Sequence, residues 1–394
     1  MNSPDSIAVV GASLAALSAV RALRAERYRG SITVVGDEAH LPYDRPPLSK
    51  EFLHGNDHNV PLVEAGSDDA DQLDVTWLLG RRAIGLTARP DSRHELLLAD
   101  GSVVAADQVV IATGARARTL PDLAELDGVH TLRTLDDARA LRDSLASSLR
   151  LVVIGAGFIG AEVASSAAAL GLDVTIVEAS PTPLAGILGA ELGALCVAKH
   201  SANGVRLRTG VTVARLLGDT RISGVELSDG SVLRCEALVV GIGAVPNVEW
   251  AAMSDIDVDN GFLTDSQCRT SISGIYAIGD CARSYVDELG THHRSEHWTN
   301  ATAQARTVAR TIMGSSEATA TAPYFWSDQY GARLQFAGRR RHDDEPRFVD
   351  GDADAASFTV VYERSGEVVA VFALDNPRLF TRYRKQIERA RSRV

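Results

Sequence analysis

Two turns of the kind that binds nucleotide phosphates lie about one domain apart in this chain. Gly11 follows a β-branched run that ends at Val10, and Gly155 follows a similar run that ends at Ile154. A helix-forming segment comes directly after each turn, so bare backbone amides and a helix N-terminus can face a pyrophosphate. The two turns predict two bound dinucleotides, one held as a flavin and the other exchanged as a nicotinamide, with electrons moving between them.

The second turn is complete and also carries a signal for the choice of coenzyme. Glu178 follows 23 residues after Gly155, at the end of the next strand. A carboxylate there accepts hydrogen bonds from both ribose hydroxyls and repels a 2′-phosphate, and residues 179–181 contain no arginine that could bind one. NADH is therefore expected rather than NADPH. The candidate nicotinamide-site residues are Gly155, Gly157, Phe158, Ile159, Gly160, Glu162, Glu178 and Gly243.

The first turn departs from the strict glycine pattern. Ser13 and Ala16 stand where glycines are expected, although Ser13 is small and its hydroxyl can donate to a phosphate. Asp37 and Glu38 come just after the position that aligns with Glu178, and either acid can bind an adenosine ribose. The alternative is a solvated turn, so the first turn alone is weak evidence for a nucleotide site.

Composition limits the possible classes of protein. The chain has 394 residues, which should divide into two or three domains, and its net charge of −11 disfavours nucleic acid as a partner. No run reaches the ~18 apolar residues of a membrane span, and residues 1–7 lack a basic segment. We therefore expect no membrane span and no signal peptide, and a cytoplasmic location. The four cysteines show neither a CxxC pair nor metal-ligand spacing, so no metal is expected.

Around each turn the sequence predicts a strand, a helix and a second strand. The predicted bounds are residues 7–10, 13–28 and 32–35 in the first half, and residues 151–154, 158–170 and 174–177 in the second. Such a βαβ unit begins a doubly wound parallel sheet. Each half also closes on a matching buried strand and glycine turn, at residues 109–115 and 238–244, so the repeat covers whole domains.

The remaining segments predict a meander inserted in each half and a separate C-terminal domain. Residues 78–98 and 204–233 alternate apolar and polar side chains around Asp-Gly turns, which predicts an antiparallel meander in each half. A strand ending in Gly-Asp at residues 274–280 precedes a helix at 299–313 and a linker at 314–322. The fold class is thus α/β, with two Rossmann-like domains carrying inserted meanders and a small C-terminal α+β domain, whose predicted strands cover residues 358–362 and 368–374.

Five motifs extend this interpretation to the whole chain. They are Leu41-Pro-Tyr-Asp-Arg-Pro-Pro-Leu-Ser-Lys50, Gly157-Phe-Ile-Gly-Ala-Glu162, Gly243-Ala-Val-Pro-Asn247, Ala277-Ile-Gly-Asp280 and Phe325-Trp-Ser-Asp-Gln-Tyr330. With them the chain strongly resembles the FAD-dependent, NADH-linked ferredoxin reductases that serve bacterial monooxygenases and Rieske dioxygenases. The motifs come in the order of that family, and the first and last are far more specific than a Rossmann turn.

The resemblance implies an oxidoreductase of the ferredoxin–NAD(+) reductase class. Electrons would pass from NADH through FAD to a [2Fe–2S] ferredoxin that supplies a cytochrome P450 or a Rieske oxygenase. The implied domains are an FAD-binding domain at residues 1–115 and 245–320, an NAD-binding domain at 116–244, and a C-terminal domain at 321–394. No side chain need act as a nucleophile or general base, because the protein supplies positioning and electrostatics.

The resemblance also assigns roles to individual residues. Asp280 is expected at the ribityl and phosphate region of FAD, and Lys50 beside the isoalloxazine in a pair with Glu162. The helix after His297 should aim its positive end at the flavin, and Trp326 and Trp298 should cover it. The candidate catalytic residues are Lys50, Glu162 and Trp326. The implied FAD contacts are Gly11, Ser13, Leu14, Ala15, Asp37, Glu38, Arg45, Lys50, Ala112, Thr113, Gly114, Arg118, Gly279, Asp280, His297, Trp298 and Trp326.

Cysteine usage separates this chain from relatives that use a reactive thiol. Disulfide reductases, NADH peroxidases and CoA-disulfide reductases need such a thiol in the first domain, and here the first cysteine is Cys196. Cys281 follows Asp280 and is expected to serve packing. The remaining alternatives are reduction of a rubredoxin, quinone or oxygen, or a redox-switched binding protein resembling apoptosis-inducing factor.

The charge is distributed unevenly along the chain. Residues 294–394 contain 16 basic and 13 acidic residues, against 24 and 38 before them. Ferredoxins of this kind are usually acidic, so a local positive patch in this part should attract one. The candidates are Arg306, Arg310, Arg339, Arg340 and Arg341, and the protein is expected to be a monomer or homodimer.

Overall fold

A computed structural model describes residues 4–56, 60–63, 67, 72–89, 93–120, 126–315 and 322–391. The chain divides into two compact units: the first takes residues 1–44, 61–116 and 245–321, and the second residues 45–60, 117–244 and 322–394. Most of the linker predicted at 314–322, with the domain boundary predicted at residue 320, lies outside the described residues. So do residues 90–92 of the first predicted meander.

The described residues form helices and several short 3-10 turns. The helices are α1 (Leu14–Ala25), α2 (Leu135–Ala146), α3 (Phe158–Ala169), α4 (Ala185–Leu188), α5 (Ala190–Ala202), α6 (Trp298–Ile312) and α7 (Pro377–Arg391). The 3-10 turns are Pro46–Ser49, Glu51–His54, Glu249–Ala251, Gly279–Cys281 and Asp287–Leu289. None of the described helices is long and apolar enough to cross a membrane.

A five-stranded parallel sheet forms the centre of the first unit. Its spatial order is β19 (Ile275–Ala277), β7 (Gln108–Ile111), β1 (Ser6–Val10), β2 (Ser31–Val35) and β3 (Val75–Leu78). Ile7 and Val9 pack in one core with the buried faces of α1 and α6, whereas Ala8 and Val10 pack in a second core. Successive side chains of a strand point to opposite faces of the sheet, so β1 is buried on both sides. This explains the continuous apolar sequence of β1.

Two smaller sheets complete the first unit. One is an antiparallel meander of β4 (Ala83–Thr87), β5 (His94–Leu98) and β6 (Val103–Ala106), which supplies Leu86, Leu96 and Leu98 to the second core. The other has the order β18 (Phe262–Thr264), β20 (Ala282–Val286) and β21 (Thr291–Arg294). The strand β8 (Ala115–Ala117) begins and the strand β17 (Ala244–Pro246) ends in this unit, where the chain leaves and re-enters it.

The second unit repeats this architecture. Its parallel sheet has the order β12 (Arg206–Thr209), β11 (Asp173–Glu178), β10 (Arg150–Ile154), β16 (Ala237–Val240) and β9 (Val129–His130). The meander consists of β13 (Val213–Leu217), β14 (Gly224–Leu227) and β15 (Val232–Arg234). A capping box, in which the Thr134 hydroxyl accepts from the Asp137 amide and the Asp137 carboxylate accepts from the Thr134 amide, starts α2.

The C-terminal part of the second unit is an antiparallel sheet with one long helix. The strand order is β22 (Tyr324–Gln329), β23 (Ala332–Gly338), β26 (Glu367–Leu374), β25 (Phe358–Arg364) and β24 (Pro346–Asp350). Phe380 and Ile387 of α7 pack on one face of this sheet with Val361, Val371 and Ala373. The opposite face packs with Leu188 and Leu192.

The predicted fold class is confirmed, with three local corrections. Leu78 belongs to the parallel sheet, as do residues 206–209, although alternation placed both in the meanders. A half-buried strand at the edge of a parallel sheet shows the same alternation as a meander strand, so periodicity cannot separate them. The first helix ends at Ala25 rather than at residue 28, because Arg27 takes a left-handed conformation, with φ 64°, and the chain turns there.

Candidate functional site

Gly11 forms a tight turn at the carboxyl end of β1. Its φ is +114°, and a Cβ there would stand 2.1 Å from the carbonyl oxygen of Ala112. The Gly11 amide donates to the Val35 carbonyl at 2.7 Å, and the Ala112 amide donates to the Val10 carbonyl at the same distance. The turn thus joins the ends of three neighbouring strands and opens directly into α1. Only glycine fits there, which supports the predicted phosphate cradle.

A second glycine turn lies against the first turn of α1. A Cβ on Gly279, whose φ is +74°, would come within 3.1 Å of the Ala15 Cβ. Asp280 is the next residue, so the predicted FAD residues Gly11, Ala15, Gly279 and Asp280 share one edge of the sheet. Ligands of open α/β sheets bind at this carboxyl edge.

The N-terminus of α6 belongs to the same unit. His297 is its N-cap residue, and its carbonyl accepts from the amides of Asn300 and Ala301 at 2.9 and 3.1 Å. The indole nitrogen of Trp298 donates to an Asp44 carboxylate oxygen at 2.9 Å, and the Trp298 residue is 37% exposed. The indole is therefore oriented by an ion–dipole contact rather than by burial alone.

The two candidate ribose-binding acids differ in their surroundings. Asp37 is exposed, whereas Glu38 is half-buried and accepts a hydrogen bond from the Tyr43 hydroxyl at 2.5 Å. Tyr43 itself is 5% exposed. Because a buried phenol fixes its carboxylate, Glu38 is the better oriented of the two acids.

Thr113 and Asn247 join two chain segments beside the predicted FAD residues Ala112 and Gly114. The Thr113 hydroxyl donates to the Asn247 carbonyl at 2.8 Å, and the Asn247 side-chain amide donates to the Thr113 carbonyl at 2.9 Å. The Asn247 backbone amide donates to the Gly114 carbonyl at 3.0 Å. The Thr113 hydroxyl therefore has a structural partner within the protein.

The complete glycine turn of the second unit has the features of a dinucleotide site. A Cβ on Gly160 would stand 2.1 Å from the Gly155 carbonyl oxygen, so α3 approaches the strand closely, whereas no atom lies within 4 Å of a Cβ on Gly157. Glu178 accepts from the Ala156 amide and from the Ser180 amide, both at 2.8 Å. The open space at Gly157 and the fixed carboxylate fit a pyrophosphate and an adenosine ribose.

Lys50 and Glu162 form a buried ion pair within the second unit. The ammonium nitrogen lies 2.7 Å from Glu162 Oε2, and the side chains of Lys50 and Glu162 are only 13% and 2% exposed. Lys50 also donates to the Pro46 carbonyl at 2.9 Å. The two adjoining 3-10 turns hold the lysine backbone, with Pro46 and Pro47 starting the first of them. The predicted pair is thus present.

Three buried polar residues that the sequence reasoning missed complete this pair. The Ser49 hydroxyl donates to Glu162 Oε2 and the Ser327 hydroxyl to Glu162 Oε1, both at 2.6 Å. The Gln329 amide in turn donates to the Ser327 hydroxyl at 2.9 Å. Ser49 lies in the first of the five motifs, and Ser327 and Gln329 lie in the last. The high specificity of these two motifs is the sequence feature that could have indicated a role for them.

Other predicted residues have partners of their own. Trp326 stacks on Tyr324 with ring centroids 5.7 Å apart, and the Arg384 guanidinium lies 4.5 Å from the centre of the Tyr324 ring. Phe158 packs on Phe325 at 4.7 Å, whereas Ile159 is 48% exposed.

Two of the predicted FAD-binding arginines have contacts within the second unit. The guanidinium of Arg45 donates to the Arg133 carbonyl, and the backbone amide of Arg118 donates to the Gly243 carbonyl at 2.9 Å. The Arg118 contact joins two predicted site residues, and the contact of both arginines with FAD remains a prediction.

All four cysteines are buried free thiols. Burial raises the pKa of Cys196, Cys235 and Cys268 to about 12, and burial also raises the pKa of Cys281. A buried thiol that stays protonated at neutral pH is a poor nucleophile. The burial of Cys281 agrees with the expectation that this residue serves packing.

The candidate docking arginines are unequal. Arg306 and Arg341 are exposed, but Arg310 lies 3.4 Å from a Glu26 carboxylate oxygen. The guanidinium of Arg340 packs over the Tyr362 ring at 5.6 Å. Of the five candidates, Arg306 and Arg341 are exposed, whereas Arg310, Arg339 and Arg340 are half-buried.

Comparison with known proteins agrees with these features. Residues 5–305 match the family described as pyridine nucleotide-disulphide oxidoreductase, and residues 324–393 match the reductase C-terminal family. The chain belongs to the pyridine nucleotide-disulphide oxidoreductase family. FAD and NAD(H) are the cofactors that this membership implies, as predicted, and the predicted oxidoreductase class is confirmed.

Its relatives include several reductases of similar length. Rhodocoxin reductase of Rhodococcus erythropolis is 39% identical over 95% of this chain and 87% of its own, and the ferredoxin reductase component of chlorobenzene dioxygenase from Cupriavidus sp. is 38% identical over 97% and 92%. A crystal structure of the covalent putidaredoxin reductase–putidaredoxin complex matches with a TM-score of 0.92 at 31% identity, over 98% of this chain and 94% of that one. The predicted resemblance to ferredoxin reductases is confirmed.

Proposed function

We propose that this protein carries electrons from NADH through FAD to a [2Fe–2S] ferredoxin that serves a cytochrome P450 or a Rieske oxygenase. The observation that supports the proposal is a tight glycine turn at the carboxyl edge of each parallel sheet, at Gly11 and Gly155, together with the buried Lys50–Glu162 pair and the burial of all four cysteines. The names of the relatives support the acceptor class. We also infer that the protein acts in the cytoplasm, as a monomer or homodimer.

In this proposal the first unit binds FAD. The pyrophosphate would lie at the Gly11 turn and the N-terminus of α1, where the helix dipole favours negative charge. Glu38, held by Tyr43, would bind the adenosine ribose, and Asp280 the ribityl chain. The N-terminus of α6 is directed by the His297 cap, so its positive end can stabilise negative charge that the flavin gains.

The second unit would bind NADH. Gly157 leaves room for the pyrophosphate, Gly155 and Gly160 allow the tight turn and the close approach of α3, and the fixed Glu178 carboxylate would accept from the adenosine ribose hydroxyls. Bound FAD supplies the chemistry itself, because a flavin accepts a hydride and can release electrons singly. The chain contributes orientation, a fixed charge at Lys50 and a dry environment around Glu162, whose residue is 2% exposed.

For the ferredoxin we propose a docking surface on α7 as well as at Arg341. Arg378, Arg382, Lys385 and Arg389 are exposed and follow one another at spacings of four, three and four residues, so they form one stripe along the helix. The stripe is about 16 Å long at 1.5 Å per residue, which suits one small acidic protein. On the opposite, inner side of α7, Arg384 packs over Tyr324, which stacks on Trp326.

Steady-state NADH oxidation with a panel of [2Fe–2S] ferredoxins tests the proposed function. We expect rapid reduction of at least one ferredoxin, with ferricyanide as the control acceptor that reports NADH-dependent flavin reduction alone. Faster turnover with a rubredoxin, a quinone or oxygen than with every ferredoxin would contradict the acceptor assignment. A slow reaction with every acceptor and a long-lived complex with NAD would favour a redox-switched binding protein.

Reversal of charge on α7 tests the docking surface. The triple variant Arg382→Glu, Lys385→Glu and Arg389→Glu should raise the KM for ferredoxin several-fold and weaken its salt dependence, while ferricyanide reduction stays unchanged. A matched control reverses three exposed arginines elsewhere in the same unit, Arg139, Arg215 and Arg234. An equal rise in KM in the control would assign the effect to net charge rather than to docking.

A further inference from the structure

Gln304 lies in the middle of α6 and uses its side-chain amide to connect three parts of the first unit. Its Oε1 accepts from the Gly279 backbone amide at 2.7 Å and from the Asn300 side-chain amide at 3.2 Å. Its Nε2 donates to the Ser284 hydroxyl at 2.9 Å. Every one of these contacts joins residues of the same unit.

Two of the three connected parts are those that would hold the flavin end of FAD. Gly279 is buried in its left-handed turn and directly precedes Asp280. Asn300 lies in the first turn of α6, and its side chain also donates to the Ser295 carbonyl at 3.1 Å, just before the helix. The side-chain amide of Gln304 therefore fixes the position of the Gly279–Asp280 turn relative to the N-terminus of α6.

The second end of the amide is anchored as firmly as the first. Ser284 lies on β20 and accepts a further hydrogen bond from the Thr264 hydroxyl of β18 at 2.8 Å. Thr264 is 2% exposed and Ser284 is half-buried, so this anchor lies largely within the protein. With Nε2 held, the amide cannot rotate away from Gly279 without losing another bond.

We propose that Gln304 is a positioning residue for FAD, which holds the Asp280 turn and the positive end of α6 in the mutual geometry that binds the flavin. This inference rests on the proposed FAD site. If the Asp280 turn loses its hydrogen bond to Gln304, Asp280 and the N-terminus of α6 no longer contact the same ligand. The sheet and α6 can nevertheless remain folded. The sequence gives no hint of this role, because the residue carries no charge and matches none of the quoted motifs.

The test replaces Gln304 by methionine, which keeps its length but neither accepts nor donates strongly. We expect the dissociation constant of FAD, measured by quenching of flavin fluorescence on addition to the apoprotein, to rise about 5- to 100-fold, as for the loss of one to two partly buried hydrogen bonds. The midpoint potential of the FAD that remains bound should fall, because the helix dipole then stabilises added negative charge less.

A matched control and a second variant separate positioning from folding. Gln267→Met changes a half-buried glutamine whose oxygens contact Thr311 at the other end of α6, and it should leave FAD affinity and potential unchanged. Ser284→Ala keeps the bond to Gly279 but frees the other end of the amide, so it should weaken FAD binding to a smaller extent. Thermal unfolding of the apoproteins checks that the fold is kept.

The outcomes are distinct. Wild-type FAD affinity and potential in Gln304→Met would overturn the proposal, as would equal losses in Gln267→Met. Unfolding of Gln304→Met leaves Ser284→Ala to decide, and wild-type affinity in that variant would then overturn it. These measurements need no acceptor, so a failure of ferredoxin turnover would count against the proposed function and not against the role of Gln304.

Discussion

The charge of Glu178 should decide between NADH and NADPH. Its carboxylate oxygens accept from the Ala156 and Ser180 amides, both at 2.8 Å, so the group is fixed at the end of β11 before any coenzyme arrives. Each oxygen keeps a second lone pair for a ribose hydroxyl. A 2′-phosphate at that position would meet a negative charge with no arginine at residues 179–181 to offset it.

Glu178→Ala removes both effects at once. NADH loses a pair of charge-assisted hydrogen bonds and NADPH loses a repulsion, which together amount to about 1 to 3 kcal/mol. The ratio of kcat/KM for NADH to that for NADPH should therefore fall about 5- to 150-fold. Glu178→Arg should move the ratio further, since it adds a partner for the phosphate.

Glu178→Gln separates the two contributions. The neutral amide keeps the shape but only one acceptor oxygen, so it should improve NADPH use by removing the repulsion, while NADH use declines less than in Glu178→Ala. The assay is flavin reduction in stopped flow with each coenzyme, with ferricyanide turnover as a second readout. A wild-type protein that prefers NADPH, or an unchanged ratio in Glu178→Ala at unchanged FAD content, would refute the reasoning.

Three further predictions concern other parts of the molecule. Asp280→Ala should be purified with less bound FAD than the wild type, and full flavin content in the visible spectrum would refute the placement of that motif. Replacement of all four cysteines by Ala or Ser should leave ferredoxin-coupled turnover within a few fold, because the thiols are buried and their pKa values raised; loss of turnover in a folded, FAD-bound protein would revive a thiol mechanism. His200 is buried, and its Nδ1 atom lies 2.7 Å from the Tyr330 hydroxyl oxygen. Burial lowers the pKa of His200 from 6.5 to about 4. As the pH falls, His200 is protonated in the unfolded chain before it is protonated in the folded one. Up to about 3 kcal/mol of the stability present above pH 6.5 is therefore lost as the pH falls towards 4. His200→Gln should flatten this part of the pH dependence of the unfolding midpoint, and an unchanged slope would contradict the assignment.

The parts of the fold that could be predicted are those encoded locally. A β-branched run, a glycine and a helix-forming segment specify the turns at Gly11 and Gly155 without reference to the rest of the chain. The edge strands could not be separated from the meanders, because both alternate in the same way. The end of α1 could not be predicted, because it depends on the left-handed backbone conformation of Arg27. An arginine side chain gives no indication of that conformation.

The site residues divide on the same principle. Glu178 and the glycines were found because their role follows from spacing within one βαβ unit. Ser327 and Gln304 were not, because neither is charged and each acts on a residue outside any local βαβ unit. Contacts of that kind depend on the three-dimensional packing of distant segments, which periodicity does not describe.

The network around Glu162 explains why the most specific motifs lie so far apart in the sequence. A carboxylate that is 2% exposed is costly unless its charge is paired and its oxygens are hydrogen-bonded. Lys50 supplies the countercharge, but Glu162 Oε1 takes its hydrogen bond from Ser327. Removing either partner from such a buried pair typically costs about 3 to 5 kcal/mol, because the other charge remains behind.

The first and last motifs therefore form one structural unit with Glu162. Ser49 and Lys50 of the first and Ser327 and Gln329 of the last all belong to its hydrogen-bonded network. A change at Ser327 alone leaves Oε1 without that donor, and a change at Gln329 alone frees the Ser327 hydroxyl to turn away. The C-terminal sheet thus has a role beyond covering a surface: it fixes the orientation of the carboxylate that balances the charge of Lys50.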